Sequence, residues 1–363
     1  MHVGMGLNIQ NVDNARTDLA VYTEELQLAS LAEPLGFESI WAVEHHFTDY
    51  VLIPDPTFLL SYLAGKTSKV ELGSMVIVLP WHDPVRVVEH VAMVDNLSDG
   101  RMVLGIGRGL GRVEFEGFGV PMSESRERFV EAGEMVVRAL EDGFIEGKGK
   151  YYPRERRDIR PAPTRTFRDR TYAAAVSPES AVIMADLGVG LLYVPQKPWD
   201  HVAKDLTTYA ARYREVHSDL PIAPIVSSYV FCDRNEDRAT SLAREYVGTY
   251  YNSLIRHYEM ADTLFTNLKG YEFYEKMSDT IRNGEEAATD FFLDLQVFGT
   301  PEQCYEKALK IHSLMNNDRF VGVFSFGKMP YDEALRNIHL FAREVMPELQ
   351  TFDGTSELWR STI

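Results

Sequence analysis

The stretch Met102-Val103-Leu104-Gly105-Ile106-Gly107-Arg108-Gly109-Leu110-Gly111-Arg112 changes character midway. Residues 102–106 form a short, unbroken apolar run, which is how a strand buried on both faces of a parallel sheet reads. From residue 107 onward glycine alternates with arginine and leucine. Such a composition ends a strand and lets backbone approach a ligand closely. The same succession repeats on either side. Upstream, residues 70–79 read as a strand and 84–97 as a helix with Pro84 near its start. Downstream, residues 123–140 carry a strong apolar stripe and read as a helix, 171–175 as a strand and 180–187 as a short helix. Residues 191–194 then read as a strand, 199–216 as a helix and 222–232 as a strand. Further strands are expected at 3–9, 39–43 and 321–326, and helices at 19–29, 56–65 and 331–346, with a long helical stretch opening near Asp237. Eight continuous apolar strands alternating with helices predict an α/β fold, a closed (β/α)8 TIM barrel rather than an open sheet, in a single domain spanning 1–363.

Two stretches interrupt the alternation. Residues 146–170 are rich in Lys, Arg and Pro, and residues 252–296 are polar, aromatic and partly acidic. Long excursions from a barrel are either solvated insertions or lids and active-site walls. The second is expected to be an insertion or lid region before the last strands.

Composition narrows the function classes. A net charge of −17 repels nucleic acid phosphates and anionic lipid, so neither is expected as a partner. It also makes any local basic site informative. Cys232 and Cys304 are the two cysteines, far apart in sequence, and predict no disulfide framework and a reducing, cytoplasmic compartment. Met1-His2-Val3-Gly4-Met5 reads as a strand rather than a targeting segment, and no apolar run approaches the ~20 residues that span a bilayer.

In a barrel, chemistry sits just past the C-terminal ends of the strands. After the second strand comes Glu44-His45-His46-Phe47-Thr48. Adjacent histidines there could be metal ligands, a general base or packed polar groups. Neighbours in an extended segment point to opposite sides and no further cluster has ligand spacing, so no metal is expected and a catalytic or ligand-contacting histidine is preferred. After the fourth strand, Arg108 and Arg112 offer planar donors among glycines; a phosphate site and a turn with solvated arginines both fit. Neither the dinucleotide fingerprint nor a P-loop is present, since Leu110 stands where GxGxxG needs its third glycine. After the fifth strand, Val176-Ser177-Pro178-Glu179-Ser180 leads into a helix. By itself this reads as an ordinary helix cap; with Arg108 on the neighbouring strand it becomes a phosphate cradle.

These pieces, with Asp83-Pro84-Val85-Arg86, Leu97-Ser98-Asp99-Gly100-Arg101, Gly270-Tyr271-Glu272-Phe273, Gly299-Thr300-Pro301-Glu302-Gln303-Cys304 and Val345-Met346-Pro347, resemble in order and spacing the bacterial luciferase-like, flavin-dependent monooxygenases, the luciferase alpha subunit above all. The resemblance implies a two-component monooxygenase. Reduced FMN, supplied by a separate flavin reductase, would react with O2 to a 4a-peroxyflavin that oxidises a small organic substrate: an aldehyde, a ketone or a hydrocarbon.

Residue by residue, the resemblance makes His45 the catalytic histidine beside the flavin and Glu114 a carboxylate of the flavin pocket. Arg108, Arg126, Ser177 and Ser180 hold the flavin phosphate, and Glu44, Met75, Val76, Gly107 and Val176 are expected among the flavin contacts. Met75-Val76 falls where the family carries a non-prolyl cis peptide. Gly107 stands where luciferases have a reactive cysteine and Val176 where they have a glutamate, departures that bear on light emission and leave the phosphate positions intact. The resemblance also places a subunit interface on the 84–97 helix, with Val85, Val88, Val91, Ala92 and Glu89, and implies a homodimer. Two other readings stand beside it: a deazaflavin-dependent oxidoreductase of the same superfamily, and a non-catalytic flavin-binding subunit like the luciferase beta chain. The latter lacks the histidine pair and the strand-four arginine that are present here.

Overall fold

The computed structural model describes residues 1–352 apart from 176, 263–264 and 266–270. Eight parallel strands close a barrel: β1 (His2–Leu7), β2 (Ser39–Ala42), β3 (Glu71–Ser74), β4 (Met102–Gly107), β5 (Thr171–Ala174), β6 (Gly190–Tyr193), β7 (Ile225–Cys232) and β8 (Arg319–Val323). Each pairs with its neighbours in chain order. The ring closes where Ile225 of β7 pairs Leu192 of β6 and Arg319 of β8, and where Gly4 of β1 pairs Val321 of β8. β2, β6 and β7 are buried along their whole length, which is why they read as unbroken apolar runs.

Helices between the strands cover the barrel. Local chemistry sets their ends: Asp83 caps the helix Pro84–Leu97 by accepting the Val85 N–H at 2.9 Å, and Thr300 with Gln303 forms a reciprocal capping box on Pro301–Met315.

The lower lumen is plugged. Trp41, Val103, Tyr172, Leu192, Ile225 and Val321 pack there as a separate buried cluster. The indole of Trp41 has room because β3 carries glycine beside it; a Cβ on Gly73 would stand 2.2 Å from the ring. With the lower half filled, open volume is confined to the C-terminal mouth.

The expected strand 70–79 is corrected in detail. β3 stops at Ser74, the Met75–Val76 peptide is cis, Ile77–Val78 pairs beside β4, and Leu79–Trp81 forms a single 3-10 turn. Residues 146–170 are no active-site wall. They form part of an outer antiparallel hairpin, Phe144–Gly147 with Arg154–Asp158, and return to a buried anchor. There Arg170 meets Asp95 at 2.5 Å and the Met102 carbonyl at 2.7 Å, while Thr164 donates to Asp95 at 2.7 Å. Residues 252–296 do reach the mouth. The helix Glu236–His257 is followed by Glu272–Asn283 and Glu285–Asp294, and Leu254, Tyr258, Phe273, Tyr274, Lys276 and Phe292 line the cavity there.

Helix Asp18–Ala29 buries an ionisable group. Glu25 accepts a hydrogen bond from Ser325 Oγ at 2.5 Å, and burial pushes its carboxyl up to about 7. The folded protein therefore holds this proton more tightly than the unfolded chain does. The resulting penalty is absent below about pH 4.5, grows as pH rises to about 7, and reaches up to roughly 3 kcal/mol above it. Glu25→Gln is expected to flatten this part of the pH dependence and to be the more stable protein at pH 8. Urea unfolding of both proteins at pH 5 and pH 8 checks it; an identical pH slope in the two would refute the assignment.

Candidate active site at the barrel mouth

A cavity of about 550 Å³ opens at the C-terminal ends of the strands. It is lined by residues from β2 (Val43, Glu44, His45), the β3 break (Met75, Val76), β4 (Gly107, Arg108, Glu114), the helix that carries Arg126, and the β5 turn (Ser177, Ser180). Ten of the eleven site residues expected from the sequence thus share one cavity. Val176 lies outside the described residues.

On the β2 side, alternation along the extended chain sends Glu44 and His46 one way and His45 the other. His45 Nδ1 lies 3.1 Å from Glu114 Oε1, and its Nε2 stands 3.4 Å from the hydroxyl of Tyr258, another residue of the cavity wall. His46 is not among the lining residues. Its ring packs against Phe118 and Trp81, and its Nε2 lies 3.2 Å from Glu44 Oε1.

Glu44 reaches the cavity wall, yet both its oxygens are engaged. Oε1 meets His46 and also His82 at 2.7 Å, and Oε2 accepts the Val78 N–H at 2.8 Å. Burial pushes this carboxyl up, but those hydrogen bonds outweigh it and hold the group below its ordinary range. Glu44 is therefore a brace between β2 and the β3 break.

Glu114 is fully buried on the short helix Arg112–Gly117, an element the glycine-rich sequence concealed. Burial raises its pKa; neighbouring His45 and His257 more than compensate and hold it at about 2. Oε1 accepts the backbone N–H of His46 at 2.9 Å and is approached by His257 Nε2 at 3.4 Å. His45, Glu114 and His257 come within 4.8 Å of one another from three distant segments. No local spacing announces this, and a histidine at a helix C-terminus is ordinary chemistry, so His257 was missed.

On the β4–β5 side, the Arg108 guanidinium lies over the ring of Tyr271, its Cζ 4.1 Å from the centroid, and the Tyr271 hydroxyl lies 2.8 Å from Ser125 Oγ. Tyr271 is a second residue whose role the sequence did not announce. Arg126 pairs with the exposed Glu179 in the first turn of helix Pro178–Leu187. Ser177 is that helix's N-cap, accepting the Ser180 N–H at 3.2 Å, with the two hydroxyls 2.9 Å apart. The expected helix cap is present, and a helix N-terminus, two hydroxyls and two arginines, one of them paired with Glu179, face one cavity.

Gly107 completes the wall. A Cβ there would stand 2.3 Å from Val76 Cγ2, so the volume a larger residue would need is already filled by Val76. Gly107→Ala is expected to cost about 1–3 kcal/mol of stability by overpacking, and Val76→Ala in the same chain to recover most of it. Denaturant midpoints of the single and double variants test this; the same cost with Val76 trimmed would contradict it.

The mouth of this TIM barrel thus gathers two arginines, a capped helix start and a histidine–carboxylate pair around one cavity. A family model described as luciferase-like monooxygenase matches residues 1–317, and the chain belongs to that family. Among curated relatives, the alkanal monooxygenase alpha chain of Photorhabdus luminescens is 27% identical over 334 residues, covering 90% of this chain and 91% of that one. Among solved structures, monooxygenase RslO1 from Streptomyces bottropensis superposes with a TM-score of 0.78 at 25% identity, over 96% of this chain and 99% of that one. The FMN complex of the oxygenating constituent of 3,6-diketocamphane monooxygenase from Pseudomonas putida, a type II Baeyer–Villiger enzyme, shares the fold (TM-score 0.72, 16% identity, 96% and 98% covered). So does the coenzyme F420-dependent tetrahydromethanopterin reductase of Methanopyrus kandleri (TM-score 0.68, 19% identity, 96% and 99% covered).

Proposed function

We propose that this chain is the oxygenating component of a two-component, FMN-dependent monooxygenase. It would take reduced FMN from a separate flavin reductase and oxidise a small aldehyde, ketone or hydrocarbon with O2. The observation that carries this reading is the single cavity in which Arg108, Arg126, Ser177 and Ser180 face the same space as His45. The wall suits such a cofactor. Buried polar atoms around it (Asn8 Nδ2, Trp81 Nε1, Glu114 Oε2 and Gln196 Oε1) have no hydrogen-bond partner among the described residues, and the amide-like edge of a flavin ring would supply partners.

When bound, reduced FMN supplies the two electrons that let one oxygen atom enter the substrate and the other leave as water. The chain's residues do the rest. Arg108, Arg126 and the Ser177–Ser180 helix start hold the phosphate. Met75, Val76 and Gly107 give the ring a flat wall, and Glu44 braces that wall from behind. His45, oriented by Glu114, moves a proton at its Nε2. Tyr274 and Phe292, on the two helices after residue 271, keep water from the cavity. Tyr50, Tyr229, Tyr250 and Leu254 make the remaining wall apolar and aromatic, which favours an apolar substrate.

Mixing the protein and anaerobically reduced FMN with 18O2 and a panel of aldehydes and ketones tests the reading. One labelled oxygen per product molecule is expected; flavin oxidation with no label in any product would sink it. The F420-dependent relatives in fold supply the second reading, a deazaflavin-dependent oxidoreductase, which would show no O2 requirement.

We also propose a homodimer through the helix Pro84–Leu97. Of the residues expected there, Val85 and Glu89 remain partly exposed on this helix. Val88, Val91 and Ala92 turn inward and are buried in the protomer, whereas Met93 and Leu97 are exposed, as are Phe58 and Tyr62 on the adjoining helix Pro56–Ala64. Among the described residues no helix is long and apolar enough to cross a membrane.

A further inference from the structure

We propose that His257 is a positioning residue. Thr48 fixes which of its ring nitrogens carries the proton, its Nε2–H steadies the Glu114 carboxylate, and that carboxylate holds His45 with Nδ1 protonated and Nε2 turned to the cavity. The proposal deepens the reading of His45 given above and rests on it for its functional consequence.

In the proposed arrangement Thr48 Oγ1, which accepts the Tyr50 N–H at 3.4 Å, donates its own proton to His257 Nδ1, 2.7 Å away. A neutral imidazole that accepts at Nδ1 must carry its proton on Nε2; that nitrogen is buried without an aligned hydrogen bond among the described residues, and Glu114 Oε1 lies within ion-pair distance of it at 3.4 Å. Burial lowers the pKa of His257, which keeps the ring neutral with a single N–H. The ring cannot drift: Tyr50 stacks on it at 4.7 Å with the planes 20° apart, and Tyr258 meets it edge-on at 4.7 Å.

Glu114 has little else to hold it. Its Oε1 also accepts the His46 N–H, while Oε2 is buried with no hydrogen-bond partner among the described residues. With the carboxylate fixed, His45 Nδ1 must donate to it at 3.1 Å, which leaves Nε2 as the acceptor beside Tyr258. A histidine base held in one tautomer by a buried carboxylate is a recurring catalytic device; here a second histidine orients the carboxylate.

The test uses the full-length protein, His257→Phe, which keeps a flat ring without the N–H, and His257→Gln, which restores an amide N–H. In the flavin-free proteins, imidazole 15N spectra should show His45 as one Nδ1–H tautomer in the wild type and in His257→Gln, and as a mixture of tautomers in His257→Phe. Product per reduced FMN should fall about 10-fold in His257→Phe, with reduced-FMN affinity within a factor of about three, and recover in His257→Gln. If His257→Phe fails to fold, Thr48→Val should likewise mix the His45 tautomers. A single His45 tautomer with full product yield in whichever of these variants folds would overturn the proposal. So would a stoichiometric divalent metal retained by the wild type and lost on replacing His257. A tautomer change in a protein whose wild type oxygenates nothing would leave the positioning role standing and refute the functional reading instead.

Discussion

His45→Ala is expected to lose about 100-fold or more in product formation while keeping most of its affinity for reduced flavin. The imidazole reaches the cavity through Nε2 beside Tyr258, and Nδ1 is committed to Glu114. It is therefore placed to exchange a proton with whatever occupies the cavity, and a positioned acid or base of this kind contributes on the order of 10²–10⁴ in rate. Arg108, Arg126, Ser177 and Ser180 are untouched by the change, so binding should survive. Flavin oxidation by O2 should continue, with the electrons appearing as hydrogen peroxide rather than product. His46→Ala is the matching control. That ring packs edge-on against the stacked pair Trp81 and Phe118 and bonds Glu44, so its loss should lower stability and leave product per folded molecule nearly unchanged. Stopped-flow absorbance coupled to a peroxide assay separates the two variants. Full product yield from His45→Ala would reduce His45 to a structural residue.

Arg108→Ala should weaken reduced-flavin binding by roughly 2–4 kcal/mol, about 30- to 800-fold, through loss of a charge-assisted, two-pronged contact to phosphate. The guanidinium already rests over the Tyr271 ring, so binding an anion need not freeze a free side chain. Arg108→Lys should fall between the two, since the charge remains while the planar fork and its stacking are lost. Equilibrium titration of reduced FMN with the three proteins checks this. An unchanged Kd for Arg108→Ala would remove the residue from the phosphate site.

The barrel was legible because its strands are buried on both faces and bounded by glycine, proline or charge; residues 102–106 were read directly, and 222–232 was read with a start three residues earlier than the observed Ile225. Boundaries failed where backbone geometry, not hydrophobicity, ends a strand. Residues 75–79 are apolar without a break, yet the strand stops before them at Ser74. The valines of the Pro84–Leu97 helix also misled. An apolar stripe marks a buried face without saying whether the protomer or a partner buries it, and here the barrel buries Val88 and Val91.

Site residues that follow a strand directly were found: His45 after β2, Arg108 after β4, Ser177 after β5. Those brought in by tertiary folding alone were not. His257 closes a helix 143 residues beyond Glu114, and Tyr271 is separated from Arg108 by 163 residues (257 − 114 and 271 − 108). Nothing in its own context distinguishes His257 from any helix-end histidine; Tyr271 stands in one of the motifs that carry the resemblance, Gly270-Tyr271-Glu272-Phe273, which gave it no role.

The central claim, that this barrel mouth is a site for reduced FMN, is tested most directly by anaerobic titration of the wild-type protein with reduced FMN and, separately, with reduced coenzyme F420. The account predicts saturable one-to-one binding of reduced FMN, at least ~10-fold tighter than the deazaflavin and weakened in Arg108→Ala. Tighter binding of the deazaflavin, or no saturable binding of reduced FMN, would contradict it.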